Sequence, residues 1–254
     1  MTDGHIFALF SAQNIIQTGT NTIFELRDQD LWTRIVRVLR LNSGECVILF
    51  DHNNNVLIEL LPVTFERKGI ITGYIKNISK NHVLTPEINL YACLLKKEAF
   101  EEVAYVGAQM GVTSITPVLS EKIQRKWGGE RELERLGKIM IAACEQSKNF
   151  VLPIINKPIS FDTLIAQKLD QEFFNIVFDH AGQSLNIIIK SLSETKSKIN
   201  LLFGPEGGFS QSELDQLKNL KIYWCALTPT ILRAREAIVL GVGVVRSITW
   251  QDSF

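Results

Sequence analysis

Leu201-Leu202-Phe203-Gly204-Pro205-Glu206-Gly207-Gly208-Phe209-Ser210 decides how the rest of this 254-residue chain is read. The apolar run Ile199–Phe203 breaks into a glycine-rich turn. Ser210 and Glu213 then stand at the spacing of a capping box, so a helix starts at once. Strand, glycine turn and helix in succession is how an α/β protein presents bare backbone to a ligand at the carboxyl end of a sheet. Glycine admits positive φ and leaves no Cβ to block that approach. No Gly-Lys-Ser/Thr follows and Glu206 repels phosphate, which excludes a phosphate loop. For this segment alone, an ordinary strand–helix connector is the competing reading.

A second segment lies some 20 residues on. The β-leaning run Ile222–Leu227 leads into Thr228-Pro229-Thr230 and then Ile231-Leu232-Arg233-Ala234-Arg235-Glu236-Ala237. Pro229 disfavours helix at Thr228, and Thr230 is the expected cap of the helix that follows. Working backwards, strands and helices alternate from Ile88: a strand Ile88–Leu95, a helix over Glu98–Met110 and a strand Ser114–Val118. A long helix over Glu130–Gln146 follows, then the segment Phe161–Leu169 and a strand Phe173–Asp179. This alternation predicts an α/β fold with a mostly parallel sheet and helices on both faces. Ordinary connection rules forbid a knot in such a sheet.

Residues 1–80 read differently. The apolar runs Glu45–Asp51 and Val56–Val63 are joined by His52-Asn53-Asn54-Asn55, a strong hairpin signal, and Gly69–Ile78 supplies another strand. Leu31–Leu41 has helical spacing and sets Arg34, Arg37 and Arg40 on one face. A small β-barrel with a single helix fits. Thr85-Pro86 marks the boundary, because the residue before proline is held extended, giving domains at 1–80 and 86–254.

Composition bounds the function without choosing it. Lysine plus arginine and aspartate plus glutamate balance at 27 each, which neither supports nor excludes a nucleic-acid partner, since a local basic patch suffices. Cys46, Cys93, Cys144 and Cys225 are far apart, and with four histidines they suggest no zinc site. Reduced, buried thiols and the lack of a basic–apolar leader point to the cytoplasm. The apolar segment after Ile231 carries Arg233, Arg235, Glu236 and Arg246, so it reads as a packed helix and no membrane is expected.

Gly-Pro-Glu-Gly-Gly-Phe-Ser at 204–210, followed by Leu-Thr-Pro-x-Ile-Leu-Arg at 227–233, resembles the RsmE family of 16S rRNA uridine-N3 methyltransferases, members of the knotted SPOUT superfamily. Further blocks fall in that family's order: Arg37–Leu41 with Gly44 and Leu49-Phe50-Asp51, then Gly111-Val112 through Ile115-Thr116-Pro117 to Ser120-Glu121, then Ala142–Ser147. The resemblance implies a PUA-like RNA-binding barrel before a trefoil-knotted methyltransferase domain. It also implies S-adenosylmethionine (SAM) as methyl donor with no metal, 16S rRNA of the small ribosomal subunit as substrate, and a homodimer.

By the same resemblance, SAM lies on the backbone of Leu202, Phe203, Gly204, Pro205, Glu206, Gly207 and Gly208, with Leu227, Thr228, Ile231 and Leu232. Arg233 is the catalytic candidate, stabilising charge on the uracil or binding an RNA phosphate; a solvent-exposed helix-end arginine is the alternative. Arg34, Arg37, Arg40, Arg125 and Lys126 are the RNA-binding candidates, the last two beside Trp127, against the reading of solvated faces and a core tryptophan. His180, after Asp179 at a strand end, is either a base or a structural histidine. The small-residue face Ala234, Ala237, Ile238, Gly241, Val242 and Val245 suits a dimer interface or the chain's own core.

Several family positions differ. His5 and Ala8 stand where an arginine is usual, Tyr105-Val106 replaces Gln-Lys, and Gln109 a glutamate. Lys148-Asn149 replaces Gly-Arg. In the second motif, Thr228, Thr230, Arg235 and Glu236 replace glycine, arginine, glutamate and threonine. Two other readings follow from these changes: a SPOUT methyltransferase with another rRNA or tRNA target, and an RNA-binding homologue without catalysis.

Overall fold

The computed structural model describes residues 6–15, 23–167, 172–195 and 198–250; His5 and Leu169 lie outside them. The chain forms two compact units, Met1–His82 with Cys144–Val151, and Val83–Ala143 with Leu152–Phe254.

The first unit holds β1 (Phe7–Phe10), β2 (Ile23–Arg27), α1 (Gln29–Thr33), β3 (Cys46–Phe50), β4 (Asn54–Leu60), α2 (Val63–Glu66) and β5 (Ile70–Lys80). Its sheet runs β1-β3-β4-β5-β2, parallel only between β1 and β3. Alternation along β2 and β4 turns Phe24, Leu26, Val56, Ile58 and Leu60 into one core with Trp32 and Ile35. The predicted hairpin is held by the buried Asp51, whose carboxylate accepts from the amides of Asn53, Asn54 and Ile15 at 2.7–2.9 Å. The run predicted as one strand to Val63 stops at Leu60, and Val63–Glu66 coil into the short α2 after Pro62.

The predicted helix over Leu31–Leu41 is also two pieces. After α1 the backbone widens into a π-helical turn over Arg34–Val38, and Arg40 has φ +54°, a left-handed residue that ends it. The 3.6-residue period is lost, so the three arginines do not form one row. The Arg34 guanidinium binds the Glu145 carboxylate at 2.8 and 2.5 Å, Arg37 lies over the Trp32 ring, and Arg40 faces solvent.

The second unit holds β6 (Ile88–Cys93), α3 (Lys97–Gln109), β7 (Ser114–Leu119), α4 (Glu130–Ser147), β8 (Ile154–Ile155), β9 (Ile159–Ser160) and α5 (Phe161–Ala166). It continues with β10 (Phe174–Ser184), α6 (Ile189–Glu194), β11 (Ile199–Phe203), α7 (Gln211–Lys218), β12 (Tyr223–Ala226) and α8 (Ala234–Thr249); the last turn of α4 counts with the first unit. Every strand pair is parallel, in the order β12-β10-β11-β6-β7-β8, with β9 also on β7. On one face α5 and α7 bury Phe161, Leu164 and Leu217 against Val177 and Leu202. On the other lie α3 and α8: a Cβ on Gly107 of α3 would meet Ile115 and Leu90 at 3.3–3.9 Å, and one on Gly241 of α8 would come within 2.6 Å of Phe203. With Phe100, Leu90 and Ile88 fully buried, each such side chain contributes about 1.5–3 kcal/mol.

A row of polar side chains crosses this apolar sheet in register. Ser114 donates to Asn89 (2.8 Å), Asn89 to Asn200 (3.0 Å) and Asn200 to Asn175 (2.8 Å), the four standing opposite one another on β7, β6, β11 and β10. Arg246 of α8 is buried too, its guanidinium donating to the carbonyls of Pro86, Met110 and Gly111 at 2.8–3.2 Å; desolvation pulls its pKa down to about 10.

Candidate functional site

The carboxyl ends of β6, β10, β11 and β12 converge on a cleft of about 900 Å³, the size of a small-molecule site. One wall is the turn after β11. Its strand is buried at every residue, so Leu202, predicted for the ligand cradle, is a core side chain and is not part of the cleft lining, which starts at Phe203. Gly208 closes the turn with φ +66°, its amide donating to Pro205 at 2.9 Å. Phe209 folds back so that its ring would lie 3.2 Å from a Cβ on Gly204.

Hydrogen bonds to distant residues then fix the turn. The predicted capping box is present, with Ser210 and Glu213 each accepting from the other's amide. The other oxygen of the buried Glu213 accepts from Glu121 at 2.9 Å. The Lys122 ammonium donates to the Phe209 carbonyl (3.0 Å), and Glu206 accepts from the Lys96 amide (3.0 Å).

The facing wall is Leu227–Arg233 with the start of α8. Leu227, Thr228, Ile231 and Leu232, the ligand-cradle candidates on this side, line the cleft together with Phe203–Gly208 and Arg233. Thr230 does not cap the helix. Its carbonyl is taken by the Thr228 hydroxyl at 2.7 Å, the chain stays irregular, and α8 begins at Ala234 with Arg233 as an uncapped N-cap. Arg235 pairs with Glu102 of α3 (2.6 Å) and with Glu236 (2.5 Å).

The floor is β10, which runs farther than predicted. Phe178 and Gln183 both register against Cys225, so residues 179–182 bulge out and bring Asp179 and His180 into the cleft lining. Gly182 permits this: a Cβ there would lie 2.6–2.9 Å from the Cys225 and Ala226 backbone. His180 is exposed, 3.5 Å from Asp179, whose carboxylate is occupied by the Ala181 amide. Burial pushes the Cys225 thiol up to about 11, so it stays protonated at neutral pH.

Of the predicted RNA-binding residues in this unit, Arg125 is engaged internally. It clamps Glu132 at 2.6 and 3.0 Å and the Leu95 carbonyl at 2.6 Å, while Trp127 packs edge-on to Phe100; Lys126 faces solvent. The small-residue face of α8 resolves likewise. Ile238, Gly241, Val242 and Val245 are buried in the unit's own core, and Ala234 and Ala237 line the cleft. The outward apolar face is Met110, Val239, Leu240, Gly243, Val244 and Ile248.

Sequence reading missed Lys96. It follows the buried run Ile88–Leu95, a strand end where ligands gather, and it is exposed in the cleft. No group of histidines, cysteines and carboxylates suited to a metal ion exists among the described residues.

The family profile of the RNA methyltransferase domain matches residues 83–246. Two curated proteins named Ribosomal RNA small subunit methyltransferase E are similar along most of their length. That of Rickettsia conorii is 27% identical over 229 residues, covering 89% of this chain and 90% of the relative. That of Mesomycoplasma hyopneumoniae is 25% identical over 206 residues, covering 80% and 86%. Among solved structures, the Neisseria gonorrhoeae protein of the same name, bound to S-adenosyl methionine, shares the fold with a TM-score of 0.81 at 22% identity, over 98% of this chain and all of that one.

Proposed function

The chain belongs to the RNA methyltransferase domain family, and from that premise we propose that it methylates N3 of a uridine in 16S ribosomal RNA of the small ribosomal subunit, with SAM as donor. The observation that carries this reading is the cleft, walled by bare glycine backbone at the ends of parallel strands and flanked by a cation, Arg233. The near-full-length similarity to proteins named small subunit methyltransferase E supports it.

The donor set fits SAM. Its adenine and ribose call for backbone donors and acceptors, which the turn at Gly204–Gly208 and the stretch Leu227–Leu232 offer in one recess. When bound, SAM supplies an electrophilic methyl group on a sulfonium. The chain's own task is positioning: a braced turn fixes the backbone against which the donor is held. Arg233 has no ion pair among the described residues and lines the recess, placed to meet the charge that develops when the imide loses its proton.

The domain at 86–254 is read as the knotted SPOUT domain and that at 1–80 as a PUA-like RNA-binding barrel. Arg37, Arg40 and Lys126 are the outward cations for RNA, while Arg34 and Arg125 hold structure through Glu145 and Glu132. A homodimer through the outward apolar face of α8 completes the reading, together with residence in the cytoplasm. No helix among the described residues is long and apolar enough to cross a membrane.

The test is incubation with labelled SAM and small subunits lacking the modification, followed by nucleoside mass spectrometry. Appearance of 3-methyluridine at one site is the expected result. SAM binding with a different methylated nucleoside would move the assignment to another target. SAM binding with no transfer would favour an RNA-binding homologue, for which the locked Arg235 and the substituted Thr230 are the marks.

A further inference from the structure

Lys96 is the second cleft cation without an ion pair among the described residues, and it sits on the better-fixed backbone. Its amide is held by Glu206 of the glycine turn at 3.0 Å. The preceding carbonyl, of Leu95, is held by Arg125 at 2.6 Å, and Arg125 is itself clamped by the buried Glu132. The backbone at Lys96 is therefore anchored to the same turn that forms the ligand cradle.

The charges around it decide what it suits. From α3, Glu98 and Glu102 line the recess; from β10, Asp179 and His180; from the turn, Glu206. The start of α8 adds Arg233, Arg235 and Glu236, and β12 adds the protonated Cys225. Arg235 is shared between Glu102 and Glu236, so the lining carries five carboxylates (Glu98, Glu102, Asp179, Glu206 and Glu236) against Lys96, Arg233 and Arg235. A group that is always anionic, such as a phosphate, enters this field against repulsion. A neutral imide does not, and it becomes anionic only as it reacts.

We infer that Lys96 is a second cation, in addition to Arg233, that stabilises the uracil imide anion during transfer, an assignment that rests on the proposed uridine-N3 activity. The N3–H proton passes to water, and the N3 lone pair so freed bonds the methyl carbon. The electron pair of the broken carbon–sulfur bond remains on the donor's sulfur, which becomes neutral. Lys96 acts where negative charge appears on the ring, an interaction stronger in the transition state than in the ground state.

The experiment compares wild type, Lys96→Gln and Lys96→Arg on unmodified small subunits across pH, with SAM affinity by calorimetry and the salt dependence of RNA binding measured alongside. Expected for Lys96→Gln is a loss in kcat of about 100-fold at neutral pH. That loss shrinks as pH rises into the range where the imide ionises unaided, and Lys96→Arg restores most of the rate. SAM affinity and the salt slope stay at wild-type values.

A raised KM with a shallower salt slope would mean a phosphate contact and overturn the assignment. A weakened SAM affinity would mean a contact to the donor's carboxylate and overturn it too, as would a rate loss independent of pH or no loss at all. Wild type that binds SAM yet forms no 3-methyluridine would instead defeat the proposed function, and this assignment with it.

Discussion

The two walls of the cleft are built to different standards. The wall after β11 is tied at five points to residues remote in sequence or buried in the unit: Lys96, Glu121, Lys122, Glu213 and the ring of Phe209. The wall after β12 has the Thr228–Thr230 contact, an uncapped helix start and the exposed pairs of Arg235, with Ile231 79% exposed. The difference is one of anchoring: the first wall is bonded to residues distant in sequence, the second mainly through short-range and exposed contacts. Exposed ion pairs add little rigidity, whereas a buried carboxylate bonding two amides adds much.

The contrast is broken most strongly at its strut. Glu213→Ala strands the buried amide of Ser210 and the part-buried amide of Glu121 and is expected to cost about 2 kcal/mol, read as a lower urea midpoint at unchanged slope. SAM affinity should fall with it. On the second wall the effect is kinetic: Arg233→Gln is expected to slow methyl transfer about 100-fold, with the thermal midpoint and SAM affinity of wild type; an unchanged rate would return Arg233 to the solvent.

Lys122→Met removes one bond to the Phe209 carbonyl and is expected to cost about 1 kcal/mol, measurable by the same denaturation. Smallest is Arg235→Ala. The hydrogen bond from Arg235 holds the half-exposed Glu236 carboxyl below its usual pKa. The pair is complete above the ordinary carboxylate range and is lost as pH falls through the lower folded value. At neutral pH the thermal midpoint should match wild type, because solvent screens a pair so exposed. A clear fall would mean that the second wall is braced as firmly as the first.

Sequence made one wall legible and not the other for a physical reason. The glycine turn is specified locally: a buried strand, glycines where Cβ is barred, and a capping box closed within three residues. Its struts come from Lys96, Glu121 and Lys122, which only folding brings near, so Lys96 went unseen. Thr230 is a good N-cap by type, yet Thr228 took its carbonyl and delayed the helix to Ala234. The arginine spacing at 34, 37 and 40 assumed an α-helix that widens to π, and Arg125 lost its candidacy to a glutamate seven residues on. The order of the longer elements from Ile88 on was readable, because apolar runs and their breaks announce strands and helices before any contact is known, while β1, β2, α6 and the two-residue β8 and β9 were not anticipated. What lies in their far ends, such as the extension of β10 past Gly182, depends on neighbours.

The row of Ser114, Asn89, Asn200 and Asn175 has a consequence for how errors are caught. An apolar parallel sheet tolerates a slipped strand poorly on its faces but offers few signals along its length. Here a shift of one strand by one position would bury amides without partners, so a misaligned sheet is penalised several times over. The row works as a checksum on alignment, laid down at the opposite end of the strands from the cleft. When it reads correctly, the far ends of β6, β10 and β11 fall level, and the site they carry is assembled in phase.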